Sequence, residues 1–335
     1  MGNLSIVSLL RRPETGAFLG MAFVAIFFTV FGGKLFLSPQ GIASWLNVAA
    51  NLGIIAVPIG FLMIAGELDI SIGAMVPASS MCIAILSGYY GLPISVGIVV
   101  TLAFGVLIGF INGMMVVRTA VPSLIITMGT LFAVAGLVLF LSIVLTKTTS
   151  LSMPSPEWAK TLFGSYIGNG FQVTVLWWLG LTALYFFFLH LSPWGNWLLA
   201  LGGDRVSARN AGIPTDRLTV WLFILSSVSA AFVGMSQSIM YGSAQVSTGQ
   251  SYIFNTIISV VVGGVLLTGG FGSVIGILFG TITFAIVNQG IFYTSFDRNL
   301  SSLIIGIMLL IAVLMNNTFR RMALNHTGKK KGPKQ

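Results

Sequence analysis

The sequence predicts an all-α polytopic membrane protein with about ten transmembrane helices, and composition forces that class before any motif is read. Charged residues make up 7% of the 335 residues and hydrophobic ones 56%. Soluble domains carry roughly a quarter charged residues, so this chain has too few to cover a water-facing surface. The mean hydropathy is +0.99, and the apolar residues fall in runs close to the ~20 that cross a bilayer as a helix. Forty glycines and fourteen methionines suit a helical bundle, in which small residues let helices approach closely. The alternating polar and apolar strands of an outer-membrane barrel are not seen in the sequence.

Punctuation by polar, Gly and Pro residues divides the apolar sequence into ten predicted spans, at roughly 16–37, 44–65, 72–90, 94–117, 123–146, 173–192, 216–242, 251–268, 273–293 and 299–318. Ser38-Pro39-Gln40 ends the first, which is long enough to stay in the membrane rather than serve as a cleaved signal. Gly66-Glu67-Leu68-Asp69 ends the second, Gly91-Leu92-Pro93 the third, and the stretch from Arg118 to Pro122 the fourth. A long loop at 147–172 follows the fifth, and a polar stretch at 200–214 follows the sixth. Gly242 to Gln250, Gly269 to Gly272 and Ser295 to Asn299 close the next three. Gly263-Gly264 and Gly269-Gly270 also allow the eighth and ninth spans to be broken or re-entrant.

Orientation follows from the Lys/Arg bias of the loops. With the N-terminus inside, Arg11, Arg12, Arg118, Arg205, Arg209, Arg217, Arg320, Arg321 and the lysines of the tail are cytoplasmic, twelve of the sixteen basic residues. Lys34, Lys147, Lys160 and Arg298 remain outside. Both termini are thus expected in the cytoplasm. The +9 net charge is explained by topology, and no nucleic-acid partner is expected. A weak repeat relates Asn112-Gly113 and Ser123-Leu-Ile-Ile126 to Asn288-Gln289-Gly290 and Ser302-Leu-Ile-Ile305. With five spans per half the copies would be inverted, an arrangement that encloses a central path in transporters. The expected single transmembrane domain comprises a first half at 16–146, an outer loop at 147–172, a second half at 173–318 that includes a cytoplasmic segment at 193–215, and a basic tail at 319–335.

Polar residues mark the candidate sites. The run from Ala200 to Pro214 packs Asp204, Arg205 and Arg209 among Gly202, Gly203, Ser207, Ala208 and Gly212, a composition for a short compact helix that Gly212 stops and Pro214 does not continue. Glu67 and Asp69 abut apolar spans, and ionisable groups at membrane depth are functional candidates by default. Lining a path with Ser71 and capping the third helix are both open to them. The amides Asn47, Asn51, Asn112, Asn255, Asn288 and Gln289 either bond between helices or line a hydrated route. Tyr241, Gln245 and Gln250 have the same two readings near the outer mouth. The tryptophans at 45, 158, 177, 178, 194 and 197 are expected as interfacial anchors. Cys82, His190 and His326 have no partners at ligand spacing, so no metal or cofactor is expected. There is no Gly-x-x-x-x-Gly-Lys-[Ser/Thr] motif, no Ser/His/Asp set and no His-Glu-x-x-His, so neither nucleotide hydrolysis nor other catalysis is expected of this chain.

Three motifs resemble those of the membrane permease subunits of bacterial ABC importers for monosaccharides, the ribose-type permeases. Gly66-Glu-Leu-Asp-Ile-Ser-Ile-Gly73 is similar to that family's Gly-Gly-Ile-Asp-Leu-Ser-Val-Gly, and Ala200 to Ile213 to its Ala-x-Gly-x-Asn-x-x-Ala-Ala-x-x-Ser-Gly-Ile. Val261-Val-Gly-Gly264 with Gly269-Gly-x-Gly-Ser273 and Gly276 is similar to its third, glycine-rich run. The resemblance implies import of a monosaccharide, polyol or sugar derivative across the inner membrane by alternating access. Its partners would be a second permease copy or paralogue, a cytoplasmic ABC ATPase and a periplasmic sugar-binding protein. Gly202, Gly203, Asp204, Arg205, Ser207, Ala208, Arg209, Gly212 and Ile213 would couple to the ATPase. Glu67, Asp69, Ser71, Asn112, Asn255, Asn288 and Gln289 are the candidates for the path. Glu67 departs from the family's usual glycine, Ile253-Phe254-Asn255 stands where Glu-Leu-Asp is common, and Val265-Leu266 where small polar residues are. The alternatives are a branched-chain amino-acid ABC permease, disfavoured by Asp69-Ile-Ser-Ile-Gly73, and an ion-coupled secondary transporter.

Overall fold

The computed structural model of the protein describes residues 13–295 apart from Thr248, together with Asp297 and positions 303, 306, 307, 310 and 314. Helices α1 (Pro13–Phe36), α2 (Pro39–Ile64), α3 (Ile72–Ile83), α4 (Ile94–Arg118) and α5 (Ser123–Thr146) make the first half. A π-helical turn, Ala84–Tyr89, finishes α3. The connecting loop carries β1 (Ser150–Ser152), the short helix α6 (Glu157–Phe163), β2 (Tyr166–Ile167) and β3 (Phe171–Gln172). Then come α7 (Thr174–Leu191), α8 (Pro193–Gly203), α9 (Arg205–Asn210), α10 (Thr215–Tyr241), β4 (Ser243–Gln245), α11 (Ser251–Val262) and α12 (Val274–Gly290). Eight helices among the described residues are long and apolar enough to cross a membrane. The chain is an all-α polytopic membrane protein.

The eighth expected span is corrected. At 12 residues and ~1.5 Å rise per residue, α11 covers about 18 Å, short of the ~30 Å hydrocarbon core. Gly263 caps it and Gly264, at φ +91°, turns the chain away; a Cβ on Gly263 would lie 2.6 Å from the Gly276 carbonyl oxygen. The tenth expected span and the basic tail lie outside the described residues, apart from helical positions 303, 306, 307, 310 and 314.

Helix α2 is the centre of the bundle. It is apolar on all sides, and from Ala49 to Ile64 every residue is buried, as expected of a helix ringed by others. It packs on α12, α10 and α7. Helix α10 crosses α4 at very short range because Gly105, Gly109 and Gly113, spaced four apart on one face, meet α10 backbone. A Cβ on Gly109 would lie 2.5 Å from the Phe223 carbonyl oxygen, and one on Gly113 2.7 Å from the Val220 Cα. First-half and second-half helices therefore interleave. The strands add one link: β1 and β4 pair antiparallel with Ser150 opposite Gln245 and Ser152 opposite Ser243, while β2 and β3 form a small ribbon of their own.

Candidate functional site

The polar stretch after α7 folds as two short helices rather than one. Asp204 sits between them in extended conformation, and its Oδ1 accepts from the Ser207 N–H at 2.6 Å, which caps α9. These bonds from the Ser207 hydroxyl and backbone hold the exposed Asp204 carboxyl below its ordinary range. Gly212, at φ +84°, turns the chain out of α9, and Pro214 precedes α10. Gly203, Asp204, Ser207, Arg209 and Gly212 are exposed, Gly202, Arg205 and Ile213 half-buried, and Ala208 buried. The exposed face also carries Val206 and Asn210, which the sequence reading did not single out.

Arg205 turns inward, away from that face. Its guanidinium pairs with Glu67 at 2.8 Å and donates to the Thr219 hydroxyl on α10 at 3.2 Å. Arg209 pairs with Asp216, one residue into α10. Beside the ion pair, three backbones meet. The Gly270 N–H donates to the Ile64 carbonyl at 2.8 Å. A Cβ on Gly202 would strike that carbonyl oxygen and lie 2.6 Å from the Gly270 nitrogen, and one on Gly269 would lie 2.8 Å from the Gly202 carbonyl oxygen. Gly66 and Gly269 both have φ +82°, which L side chains rarely adopt. The end of α8 thus rests on both helix breaks, at 65–71 and at 263–273.

The first break is satisfied by side chains of α5, which supply the partners its partly buried, non-helical backbone needs. Leu68 N–H donates to the Ser123 hydroxyl at 3.1 Å, and Ile70 N–H to the Thr127 hydroxyl at 3.3 Å. Asp69 is buried, with Oδ1 accepting from the Ser71 N–H at 2.9 Å and hydroxyl at 2.5 Å, and Oδ2 from the Ser226 hydroxyl of α10 at 2.7 Å. Asn112 donates to the Ser71 hydroxyl at 3.0 Å and accepts from the Thr130 hydroxyl at 2.6 Å. Asp69, Ser71 and Asn112 therefore form one closed chain that ties α4, α5 and α10 to the break. Glu67 stands apart from it, on the Arg205 side.

The other expected path residues are scattered. Asn288 accepts from the adjacent Gln289 amide at 2.8 Å on α12. Asn47 holds the β2–β3 ribbon, donating to the Gly170 carbonyl and accepting from the Gln172 N–H. Asn51 and Asn255 come together at a small cavity between α2, α11 and α12. Tyr241 and Gln250 are exposed, and Gln245 lies in β4. Among the tryptophans, Trp178 is corrected from interfacial anchor to core residue. It is fully buried, because Gly53 on α2 leaves room for its indole.

The model of the family described as branched-chain amino acid transport system / permease component matches residues 41–313. The chain is 29% identical over 300 residues to the fructose import permease protein FrcC of Rhizobium meliloti, covering 89% of this chain and 83% of that one. It is 30% identical over 285 residues to the inner membrane ABC transporter permease protein YjfF of Escherichia coli (strain K12), 84% of each chain. To the autoinducer 2 import system permease protein LsrD of Photorhabdus luminescens it is 28% identical over 275 residues, 82% of this chain and 81% of that one. No solved structure gives a significant match.

Proposed function

The chain belongs to the branched-chain amino acid transport system / permease component family, and from that membership we propose that it is the membrane subunit of an ABC importer for a sugar or sugar-like solute. It is a multi-pass inner-membrane transport permease. The match over more than four fifths of both chains to permeases named for fructose and autoinducer 2 import carries the choice of solute over the amino acid of the family's name. The motor is a separate cytoplasmic ATPase, and a second permease, identical or paralogous, completes the membrane unit. A periplasmic binding protein delivers the solute. Both termini face the cytoplasm, the side with twelve of the sixteen basic residues.

The α8–α9 segment couples the motor to the bundle. Its exposed face, with Val206, Ser207, Arg209 and Asn210, receives the ATPase. Its inner face, through Arg205, Gly202 and Glu67, passes displacement to the two broken segments. Backbone packed at glycine contact distance transmits a push with little slack. Asp69, Ser71 and Asn112 serve as a fixed lock rather than as path lining, since their polar atoms are bonded to one another and to Ser226 and Thr130.

Reconstitution tests the reading. The permease assembled with its ATPase in proteoliposomes should accumulate the solute delivered by its binding protein only with ATP. Accumulation by the isolated chain on a proton gradient would reject the ABC assignment in favour of a secondary transporter.

A further inference from the structure

A cavity of about 160 Å³ lies between α2, α11 and α12. Asn51 stands on its wall near the middle of α2. Its Nδ2 donates to the Asn47 carbonyl at 2.9 Å and to Gln172 Oε1 at 2.8 Å. A backbone carbonyl only accepts, so this contact fixes which end of the amide is nitrogen. Asn51 Oδ1 is left buried with no partner, an uncommon and costly state for a polar atom. Across the cavity, Asn255 is half-buried on α11. Beside it, the Tyr252 hydroxyl accepts from Gln237 at 2.5 Å, which leaves its own proton free to donate. Ser251 adds a hydroxyl, and Leu52 and Phe284 an apolar face.

We propose that this cavity is the seat of the transported solute and selects a compact, uncharged polyol. The proposal rests on the import-permease reading and names the solute class and the residues that would hold it. The orphaned Asn51 Oδ1 accepts a solute hydroxyl proton, Tyr252 donates, and the Asn255 amide does either. Phe284 and Leu52 cover the C–H face of the ring. A zwitterionic amino acid is refused because none of the lining residues is charged, and its ammonium and carboxylate would enter without counter-charges.

The test uses full-length chain carrying Val48→Cys, on the cavity wall but with no polar group to lose, together with Cys82→Ser, which removes the single native cysteine. The rate of maleimide labelling at position 48 is measured with D-fructose, D-ribose, myo-inositol or L-leucine present. At least one polyol should slow labelling, L-leucine should not, and adding Asn51→Ala should weaken that protection about tenfold, the effect of one lost hydrogen bond to a ligand. Protection by leucine, no protection by any polyol, or protection indifferent to Asn51→Ala would overturn the proposal. As a second measurement, Asn255→Ala in the complete complex should raise the KM for solute uptake and leave assembly intact; an unchanged KM overturns it too. ATP-driven uptake by the unmodified complex is run in parallel. Uptake without protection rejects this cavity alone, and loss of uptake as well rejects the import-permease reading.

Discussion

Replacing Glu67 with Gln removes the charge that holds Arg205 against the first helix break and leaves the side chain's volume nearly unchanged. The Glu67 side chain is 13% exposed and that of Arg205 35%, so the pair lies between the surface and the interior. Exposed pairs contribute ~0.2–1 kcal/mol and hydrogen bonds to charged groups ~1.5–3 kcal/mol, which places this link at about 1–2 kcal/mol. That is a factor of roughly 5–30 in the balance between attached and detached coupling segment. Glu67→Gln should therefore lower the solute moved per ATP by up to that factor in the reconstituted complex, with ATP hydrolysis and subunit assembly retained. The double exchange Glu67→Arg with Arg205→Glu should restore part of the loss. Transport and hydrolysis measured on the same proteoliposomes give the ratio, and a ratio unchanged in Glu67→Gln would refute the reasoning.

Three further expectations concern neighbouring groups. Gly202→Ala forces a methyl into the junction of Ile64 and Gly270 and should cost ~1–3 kcal/mol or more, read as a lowered Tm of the detergent-solubilised chain. Asp69→Ala strands the Ser71 and Ser226 donors at about 1–3 kcal/mol for each unmade bond; it should reduce membrane assembly and transport equally, whereas transport lost from fully assembled protein would return Asp69 to the path. The depressed Asp204 carboxyl makes the α9 cap pH-dependent. Its folded-state value lies below the unfolded one, so the contribution is complete above the ordinary range near about pH 4 and lost as pH falls through the depressed value. Hydrogen exchange of α9 amides should show protection that is flat at neutral pH, falls only in acid, and is absent throughout in Asp204→Ala.

Local signals made much of this fold legible. The bounds of α4, α5 and α10 and the far end of α2 follow from apolar runs closed by Gly, Pro and charge, and the Gly212 stop follows from residue chemistry alone; α2 begins at Pro39 rather than near 44, and the break at Asp204 is not among the expected ones. What else escaped reading depends on partners distant in the chain. The partner of Arg205 is Glu67, 138 positions away, and no local signal in the sequence joins the two. For Asn112 the sequence leaves interhelical bonding and path lining both open, and only the fold supplies its partners Ser71 and Thr130. Trp178 sits near a span end in sequence, where tryptophans anchor, yet Gly53 draws it inside. The glycine pair at 263–264 allows the eighth span to be broken, and α11 stops at Val262; what periodicity does not encode is the close approach of Gly263 to Gly276.

The pairing of β1 with β4 has a geometric consequence for how the bundle moves. Helix α10, 27 residues long, spans about 40 Å at ~1.5 Å per residue, with the α9 end at one extreme and β4 at the other. At the β4 end, the ribbon and the flanking Met153 to Gly242 and Val246 to Thr149 bonds stitch the loop after α5 to α10. That rim is the natural fixed point for any tilt of α10. Tilting about it sweeps the smallest arc beside the ribbon and the widest at the opposite extreme, where the α8–α9 segment lies, so leverage is greatest at the end farthest from the stitch.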